Sequence, residues 1–265
     1  MNIVIVSAIV VGVIALLIGA LLGIASEKFK VEIDENEVKI REVLPGNNCG
    51  GCGFAGCDAL AKAIANDEAP VNACPVGGDT VGKMIAEILG KEVIESDPLV
   101  AFVKCKGTCD VAASQATYYG IKDCRTASVV PGHGNKSCRF SCLGYGSCVK
   151  VCDFNAIYIH DGIARVDETK CKACGKCVEI CPNHVIELAP LHAKSKVQCN
   201  SNDRGPRVIK SCKAGCIGCL KCAKVCDANA IQVNDNLAHV DYSKCTGCGK
   251  CAEACPRKVI KMLED

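Results

Sequence analysis

The chain has 265 residues, of which 25 are cysteines, while aromatic residues make up only 4% and tryptophan is absent. Cores with so few large side chains are small, so disulfides or metals must hold the modules together. The odd cysteine count and the dense C-x2-C spacing favour metals. The formal net charge of +2 excludes the clear basic excess of a nucleic-acid-binding protein, so no nucleic acid is expected as a partner.

The first 26 residues carry no charge, and Ile3 to Ala25 is almost wholly aliphatic or glycine. About 23 helical residues at ~1.5 Å each span the ~30 Å of a bilayer core. A signal peptide would have a basic start and a shorter apolar run, so residues 1–26 predict a retained, single-pass transmembrane anchor. Lys28 and Lys30 follow the run, and no basic residue precedes it. The positive-inside rule then places the iron–sulfur part on the cytoplasmic side of the cell membrane, where thiols stay reduced.

Residues 27–44 mix charged and alternating apolar positions, which predicts an extended linker. Residues 45–96 follow as an N-terminal 4Fe–4S domain, whose cysteines are Cys49, Cys52, Cys57 and Cys74. This spacing indicates one 4Fe–4S cluster, with a structural zinc site as the alternative. The glycines around the first pair also form a G-x-G-x-x-G string, but no βαβ pattern surrounds it, so no nucleotide site is expected.

Helices are predicted from Cys57 to Asn66 and from Thr80 to Glu92, the second with an apolar face of Met84, Ile85, Ile88 and Leu89. A strand is predicted at Leu99 to Val103, at the start of a first ferredoxin-like module over residues 97–190. An insertion at 104–137 interrupts this module. The insertion ends in a Gly-x-Gly-x-Lys136-Ser pattern without the spacing of a phosphate loop, which we interpret as a turn.

A cysteine pattern occurs twice from residue 138 onwards, offset by 74 residues, and the text between the cysteines repeats too. Such a duplication predicts two modules in tandem, the second over residues 191–265. The bacterial ferredoxin run is C-x2-C-x2-C-x3-C-P, in which the fourth cysteine binds the other cluster of the pair. The runs at 171–182 and 245–256 fit throughout, and the run at 216–226 lacks only the proline. In the first run Tyr145 stands in the place of the second cysteine, and Cys138 is the expected substitute.

Crossed ligation then predicts four clusters, two in each module. Their ligand sets are Cys138, Cys142, Cys148 and Cys181; Cys152, Cys171, Cys174 and Cys177; Cys216, Cys219, Cys222 and Cys255; and Cys226, Cys245, Cys248 and Cys251. Short strands are predicted between the runs, at Ala156–Ile159, Ile163–Val166 and Leu237–Val240. With the N-terminal site, the count is at least five 4Fe–4S clusters.

Five cysteines remain, and four of them could supply a sixth cluster; the alternative is free or structural thiols. Cys212 is the repeat equivalent of Cys138, and Cys199 precedes its run much as Cys105 does; the other two are Cys109 and Cys124. Between the modules, His192 to Lys213 holds six basic residues against one acid. This segment indicates a solvated hairpin or a docking patch for an acidic electron carrier.

The whole chain resembles the B subunit of the Rnf complex in its clostridial form. The resemblance covers the anchor, the Cys49-Gly-Gly-Cys52-Gly-Phe-Ala-Gly-Cys57…Cys74-Pro75 module and the two ferredoxin-like modules. It implies an electron-transfer subunit of a membrane complex that oxidises reduced ferredoxin, reduces NAD+ and pumps Na+ or H+. It also implies other membrane and peripheral subunits as partners, one of which binds FMN and NAD, in keeping with the absence of a nucleotide motif here.

The predicted fold class is therefore α+β: a transmembrane helix, a small four-cysteine iron–sulfur domain and two tandem 2×4Fe–4S ferredoxin-like modules. The predicted function is an electron relay within an ion-translocating ferredoxin:NAD+ oxidoreductase, with no catalytic residue in this chain. The alternative is a membrane-anchored polyferredoxin that donates electrons to a soluble reductase without ion pumping. A zinc protein would be colourless, whereas clusters absorb visible light.

Overall fold

The computed structural model of the protein describes residues 2–28, 34–92 and 97–263. It begins with helix α1, Asn2–Lys28. Within α1, the 21 residues Ile5–Ala25 have a mean hydropathy of 3.0, and none of the apolar window is buried against protein. A helix of that length measures ~32 Å, which matches a bilayer core of ~30 Å. The predicted anchor is thus an apolar helix of membrane-spanning length whose side chains have no protein core to enter.

The N-terminal domain packs its helices around a small aliphatic core. Ile40, Ile64 and Ile85 have no exposed surface, and Leu60 is 1% exposed. The helices that supply these side chains are α2 (Glu35–Val43), α3 (Cys57–Ala65) and α4 (Gly78–Leu89). The predicted helices at 57–66 and 80–92 correspond to α3 and α4. On α4 the predicted face is partly wrong, because Met84 is 47% exposed and Ala86 is buried instead.

The prediction of an extended linker is wrong for the second half of residues 27–44, where α2 forms. The Asp34 carboxylate accepts a hydrogen bond from the Asn36 N–H at 2.8 Å and caps the helix. Ile40 and Leu44, four residues apart, are both buried in the domain core. A short run of mixed charged and apolar residues fits both periodicities, and the core against α3 decides between them. Residues 29–33 lie outside the described residues.

Each ferredoxin-like module consists of two antiparallel strand pairs and short helices. The first module contains β1 (Leu99–Val103), α5 (Cys124–Val129), α6 (Ser147–Lys150), β2 (Ile157–His160), β3 (Ile163–Val166), α7 (Lys176–Glu179) and β4 (Ile186–Pro190). The second contains β5 (Ser195–Val197), α8 (Gly205–Ser211), α9 (Lys221–Lys224), β6 (Ile231–Asn234), β7 (Leu237–Val240), α10 (Lys250–Ala254) and β8 (Ile260–Met262). In each module the first strand pairs with the last, β1 with β4 and β5 with β8, and the middle two form a hairpin.

The strands predicted at 99–103, 163–166 and 237–240 have the bounds of β1, β3 and β7, and β2 begins one residue later than predicted. Equivalent positions of the two copies fill equivalent core places: Val185 and Val259 are each 1% exposed. Cysteines occupy much of the remaining core of both modules. The interior therefore has aliphatic walls around groups of thiols, as expected where an inorganic centre replaces large side chains.

The segment 192–213 is not a hairpin, because it forms β5 and then α8. Lys196 is only 6% exposed, and its ammonium group lies 5.6 Å from the centre of the Phe102 ring. Burial lowers the pKa of Lys196. This lysine thus joins the two modules through a cation–π contact and does not contribute to a solvated surface.

The insertion at 104–137 ties the two modules together through the backbone. The Lys213 N–H donates to the Val111 carbonyl, and the Ala113 N–H donates to the Ser211 carbonyl, both at 2.9 Å. These bonds hold residues 111–113 along the stretch that leads to Cys212. The modules thus share a bonded contact region, and cysteines from both lie beside it.

Candidate iron–sulfur centres

The four cysteines of the N-terminal domain lie where α3 and α4 meet the glycine-rich loop. Cys57 and Cys74 are buried, and Cys49 and Cys52 are half-buried. The Asn48 side chain accepts a hydrogen bond from the Cys57 N–H at 2.8 Å, which fixes the loop against the start of α3. The Gly77 N–H points at Cys74 Sγ at 3.3 Å. Burial, followed by the neighbouring thiols of Cys57 and Cys52, raises the pKa of Cys74.

Three small cavities in the two modules are each lined by four cysteines, and each set combines the two runs of one module. One is lined by Cys152, Cys171, Cys174 and Cys177. The others are lined by Cys216, Cys219, Cys222 and Cys255, and by Cys226, Cys245, Cys248 and Cys251. These are the same groups that crossed ligation predicts. The hairpins β2–β3 and β6–β7 supply the aliphatic walls.

Polar hydrogens point at the sulfur atoms from equivalent places in the two copies. The Ala156 N–H donates to Cys152 Sγ and the Ala230 N–H to Cys226 Sγ, both at 3.3 Å. The Ala101 N–H lies 3.4 Å from Cys171 Sγ; in the second copy the Ser195 hydroxyl lies 3.3 Å from Cys245 Sγ. Such bonds stabilise negative charge on sulfur and raise the reduction potential of a cluster.

A fourth cysteine cavity lies between the modules. It is lined by Cys105 and Cys138 of the first module and by Cys199 and Cys212 of the second. The Sγ atoms of Cys105 and Cys212 lie 3.5 and 3.8 Å from a single point, the position that a Cβ at Gly107 would have. The Cys142 N–H donates to Cys105 Sγ at 3.4 Å, and the equivalent Cys216 N–H donates to Cys199 Sγ at 3.3 Å. Each module therefore contributes an equivalent pair.

Cys138 lies in this shared cavity and not with the thiols that the sequence grouped it with. Burial raises the pKa of Cys138 to about 11, and the nearest thiols that add to the effect are those of Cys105 and Cys212. Its predicted role as the substitute for the ligand lost at Tyr145 is untested, but its placement favours a role between the modules.

Cys124 lies beside the lost ligand position of the first copy. It is the first residue of α5, where the Asp123 carboxylate accepts hydrogen bonds from the N–H groups of Arg125 and Thr126 and caps the helix. The Cys124 N–H donates to the Ser147 hydroxyl at 2.7 Å, and that hydroxyl donates to Asp123. Tyr145 is packed against Cys124. The insertion thus delivers a buried thiol to the loop that has tyrosine in place of cysteine.

The thiol of Cys148 reports the same neighbourhood. Burial raises its pKa to about 12, followed by the thiols of Cys142, Cys124 and Cys181. The remaining cysteine, Cys109, is exposed. Sequence reasoning left Cys124 and Cys105 without a role, because the chain brings them to their sites only when the insertion folds.

The buried thiols fit an anionic inorganic centre. Burial raises the pKa of Cys142 to about 11 and those of Cys177 and Cys199 to about 12. Such thiols stay protonated near neutral pH unless a metal replaces the proton. The Arg257 Nε, in the residue pair that follows Cys255, is buried without a hydrogen-bond partner among the described residues. A thiolate-bound cluster supplies both missing partners, a metal for the thiols and an acceptor for the guanidinium group.

An apolar helix of membrane-spanning length, followed by groups of four cysteines in ferredoxin-like modules, defines a membrane-anchored iron–sulfur protein for electron transfer. Family models agree: a domain described as an Fe-S cluster matches residues 44–76, and the 4Fe-4S binding domain matches residues 164–187 and 238–261. The cysteines therefore hold iron–sulfur clusters, which excludes the zinc alternative.

Curated relatives match almost the whole chain, and each is the B subunit of an ion-translocating complex. The chain is 44% identical to that of the Na(+)-translocating ferredoxin:NAD(+) oxidoreductase complex of Acetobacterium woodii, over 92% of this chain and 73% of that protein. It is 42% identical to that of the ion-translocating oxidoreductase complex of Methanosarcina acetivorans, over 92% and 93%. It is 40% identical to that of the proton-translocating ferredoxin:NAD(+) oxidoreductase complex of Clostridium ljungdahlii, over 92% and 86%.

The chain belongs to the family of B subunits of ion-translocating oxidoreductase complexes. This confirms the resemblance to the Rnf family and the predicted class of function, an iron–sulfur electron-transfer subunit of a membrane complex. Other subunits of such a complex are accordingly its partners.

Proposed function

We propose that this chain conducts single electrons along six 4Fe–4S clusters, from reduced ferredoxin towards partner subunits that reduce NAD+ and translocate an ion. The observation that carries the proposal is the grouping of 24 of the 25 cysteines into six sets of four. The sets are Cys49, Cys52, Cys57 and Cys74; Cys152, Cys171, Cys174 and Cys177; Cys124, Cys142, Cys148 and Cys181; Cys105, Cys138, Cys199 and Cys212; Cys216, Cys219, Cys222 and Cys255; and Cys226, Cys245, Cys248 and Cys251.

Contacts between neighbouring sets support a single file of clusters in that order. The backbone of Gly51 is so close to Cys174 that a Cβ would lie 2.7 Å from its carbonyl oxygen, which joins the N-terminal cluster to the first module. The Cys142 N–H bonded to Cys105 Sγ joins the first module to the shared cluster. The equivalent bond from Cys216 to Cys199 Sγ joins the shared cluster to the second module.

The distribution of charge supports the second module as the docking end for ferredoxin. Residues 27–96 carry thirteen acidic and seven basic side chains, whereas residues 191–265 carry seven acidic and thirteen basic ones. An acidic electron carrier is steered towards the basic module and repelled from the acidic domain. Cys219 and Cys248 in the basic module are exposed, which brings cluster ligands to the surface where an incoming electron arrives.

The membrane end follows from the same order. The N-terminal cluster lies in the domain that directly follows α1, so its electrons pass to membrane partners. Lys28 ends the helix, and all 25 cysteines are free thiols; both features support a location of the iron–sulfur part on the cytoplasmic, reducing side. The FMN- and NAD-binding site belongs to another subunit.

Iron and acid-labile sulfide analysis of the purified full-length chain tests the number and ligands of the clusters. Six clusters give about 24 irons per chain and five give about 20. Cys138→Ser removes about four irons, whereas Cys109→Ser, the matched control at the exposed cysteine outside every set, removes none. Cys124→Ser also removes about four, and adding Tyr145→Cys, which restores the ligand of the regular run, brings them back. Equal iron in Cys109→Ser and Cys138→Ser contradicts the assignment.

Ferredoxin-dependent NAD+ reduction by membranes containing the complex tests the direction. Charge reversal near Cys219, as Lys221→Glu with Lys224→Glu, raises the KM for ferredoxin and weakens its salt dependence. Lys62→Glu in the N-terminal domain is the control and leaves the KM unchanged. The reverse pattern places the docking end at the N-terminal domain.

A further inference from the structure

Lys136 is a buried cation at the junction of the two modules. Its residue exposure is 3%. The ammonium group donates to three carbonyl oxygens, those of Gly107 at 2.8 Å, Cys142 at 2.9 Å and Gly162 at 2.7 Å. Three donors with three acceptors satisfy every N–H bond of an ammonium group. The side chain is therefore held in one position, with its charge fixed.

The charge of Lys136 has no carboxylate partner among the described residues. The salt bridges found there use other lysines and arginines. Burying a charge is costly unless an opposite charge compensates it. Carbonyl dipoles solvate the ammonium but supply no net charge, so the compensating anion has to come from something the polypeptide binds.

Two of the proposed clusters flank this ammonium. Gly107, which it holds, lies against the Sγ atoms of Cys105 and Cys212 of the shared set. Cys142, which it also holds, belongs to the neighbouring set, and its Sγ accepts the Ala164 N–H at 3.4 Å. The charge of Lys136 also lowers the pKa of the Cys142 and Cys212 thiols, against the larger effect of burial. On the far side, Arg257 adds a second positive charge beside Cys212.

The repeat supplies a natural comparison. Lys136-Ser137-Cys138 matches Lys210-Ser211-Cys212 at the offset of 74 residues. Lys210 is an exposed residue of α8, whereas Lys136 is buried. The two copies have thus placed the same residue type in opposite environments, and only the first copy has a lysine between its cysteine sets.

We propose that Lys136 is a positioning residue that sets the potentials of two clusters, the shared one and the one held by Cys124, Cys142, Cys148 and Cys181. A 4Fe–4S cluster with four thiolates is anionic and gains one more negative charge on reduction, so a fixed positive charge beside it favours the reduced form. Both clusters flanking Lys136 therefore have higher potentials than they would have without it, and electrons rest at the junction between the modules. This inference depends on the six-cluster assignment.

EPR-monitored redox titration of the full-length chain tests this role. Lys136→Gln keeps polar hydrogens for the carbonyls and removes the charge. It lowers the reduction equilibrium constant of two clusters about tenfold, which is 59 mV for a one-electron couple. Lys136→Arg keeps the charge and both potentials, and Lys210→Gln, the matched control in the second copy, changes none.

Iron content separates the outcomes. A wild-type chain with about 20 irons contradicts the six-cluster assignment before Lys136 is considered. If all irons are retained and Lys136→Gln leaves every potential unchanged, the lysine only holds the backbone and the proposal is overturned. If Lys136→Gln loses the irons of two clusters, retention in Lys136→Arg supports the charge role, and loss in both variants overturns it.

Discussion

Gly51→Ala probes the contact through which the N-terminal domain meets the first ferredoxin-like module. An added Cβ lies 2.7 Å from the Cys174 carbonyl oxygen, 2.9 Å from its Cα and 3.0 Å from its carbonyl carbon. All three are backbone atoms, so no rotamer change relieves the overlap. To reach an ordinary contact of 3.4 Å, the two segments separate by about 0.7 Å, and overpacking of this kind costs about 1–3 kcal/mol.

This cost acts on the docking of the domain, because the overlap is with another module and not within the loop. At ~1.4 kcal/mol per factor of ten, the docking equilibrium weakens at least severalfold. We therefore expect the magnetic coupling between the N-terminal cluster and the cluster at Cys174 to decrease in EPR spectra of the reduced full-length chain. Transfer of electrons to the N-terminal cluster slows in rapid-mixing experiments.

Gly53→Ala is the control for this experiment. Gly53 has φ of +84°, so alanine strains the same loop, but no atom lies within 4 Å of the added Cβ. It costs local strain and leaves docking intact. Unchanged coupling in Gly51→Ala, or an equal loss of coupling in the two variants, refutes the reasoning.

Three further changes have defined outcomes. Ile40→Ala leaves a cavity in the N-terminal core and lowers its free energy of unfolding by about 2–5 kcal/mol, measured by denaturant titration; a change below ~1 kcal/mol contradicts the burial of α2. Asp123→Ala removes the cap of α5, costs about 1 kcal/mol and makes the cluster held by Cys124 the first to bleach, while Asp123→Asn keeps the cap. Hydrogen bonds from Ser147 and α5 lower the pKa of Asp123, so its capping stability is present above its ordinary pKa of 3.8 and is lost as the pH falls through the lowered value; a bleaching rate that stays flat on acidification argues against it. Burial raises the pKa of Cys199 to about 12, so cluster assembly releases protons and reconstitution of the apo-chain becomes more favourable between about pH 7 and pH 9; visible absorbance measures it, and a fall with pH contradicts the protonated state.

Local spacing carried most of what the sequence could predict. The C-x2-C-x2-C-x3-C runs determine a loop whose three cysteines face one centre, and the structure brings together the predicted sets in three cavities. The strands between the runs follow from their alternation. These features depend on neighbours in the chain, which is why a single sequence sufficed for them.

The shared cavity could not be predicted from spacing, because it forms only when two modules pack. A signal was nevertheless present: Cys105 and Cys138 each have an equivalent in the second copy, Cys199 and Cys212. Cys109 and Cys124 have none, which separates them from the shared set. Helix α2 was missed for a related reason, since its core partners lie on α3 and α4 and not in its own stretch.

The paired arrangement of the shared cavity has a consequence for the history of the chain. Each module offers two cysteines from equivalent places, so a module on its own has half of a ligand set. Two identical copies related by a two-fold axis complete the set, because an isologous interface presents the same patch from both sides. A homodimer held together by a bridging inorganic centre is thus a sufficient ancestor for the tandem form. Fusion of the two copies into one polypeptide then freed Lys136 and Lys210, and the loops around them, to diverge independently.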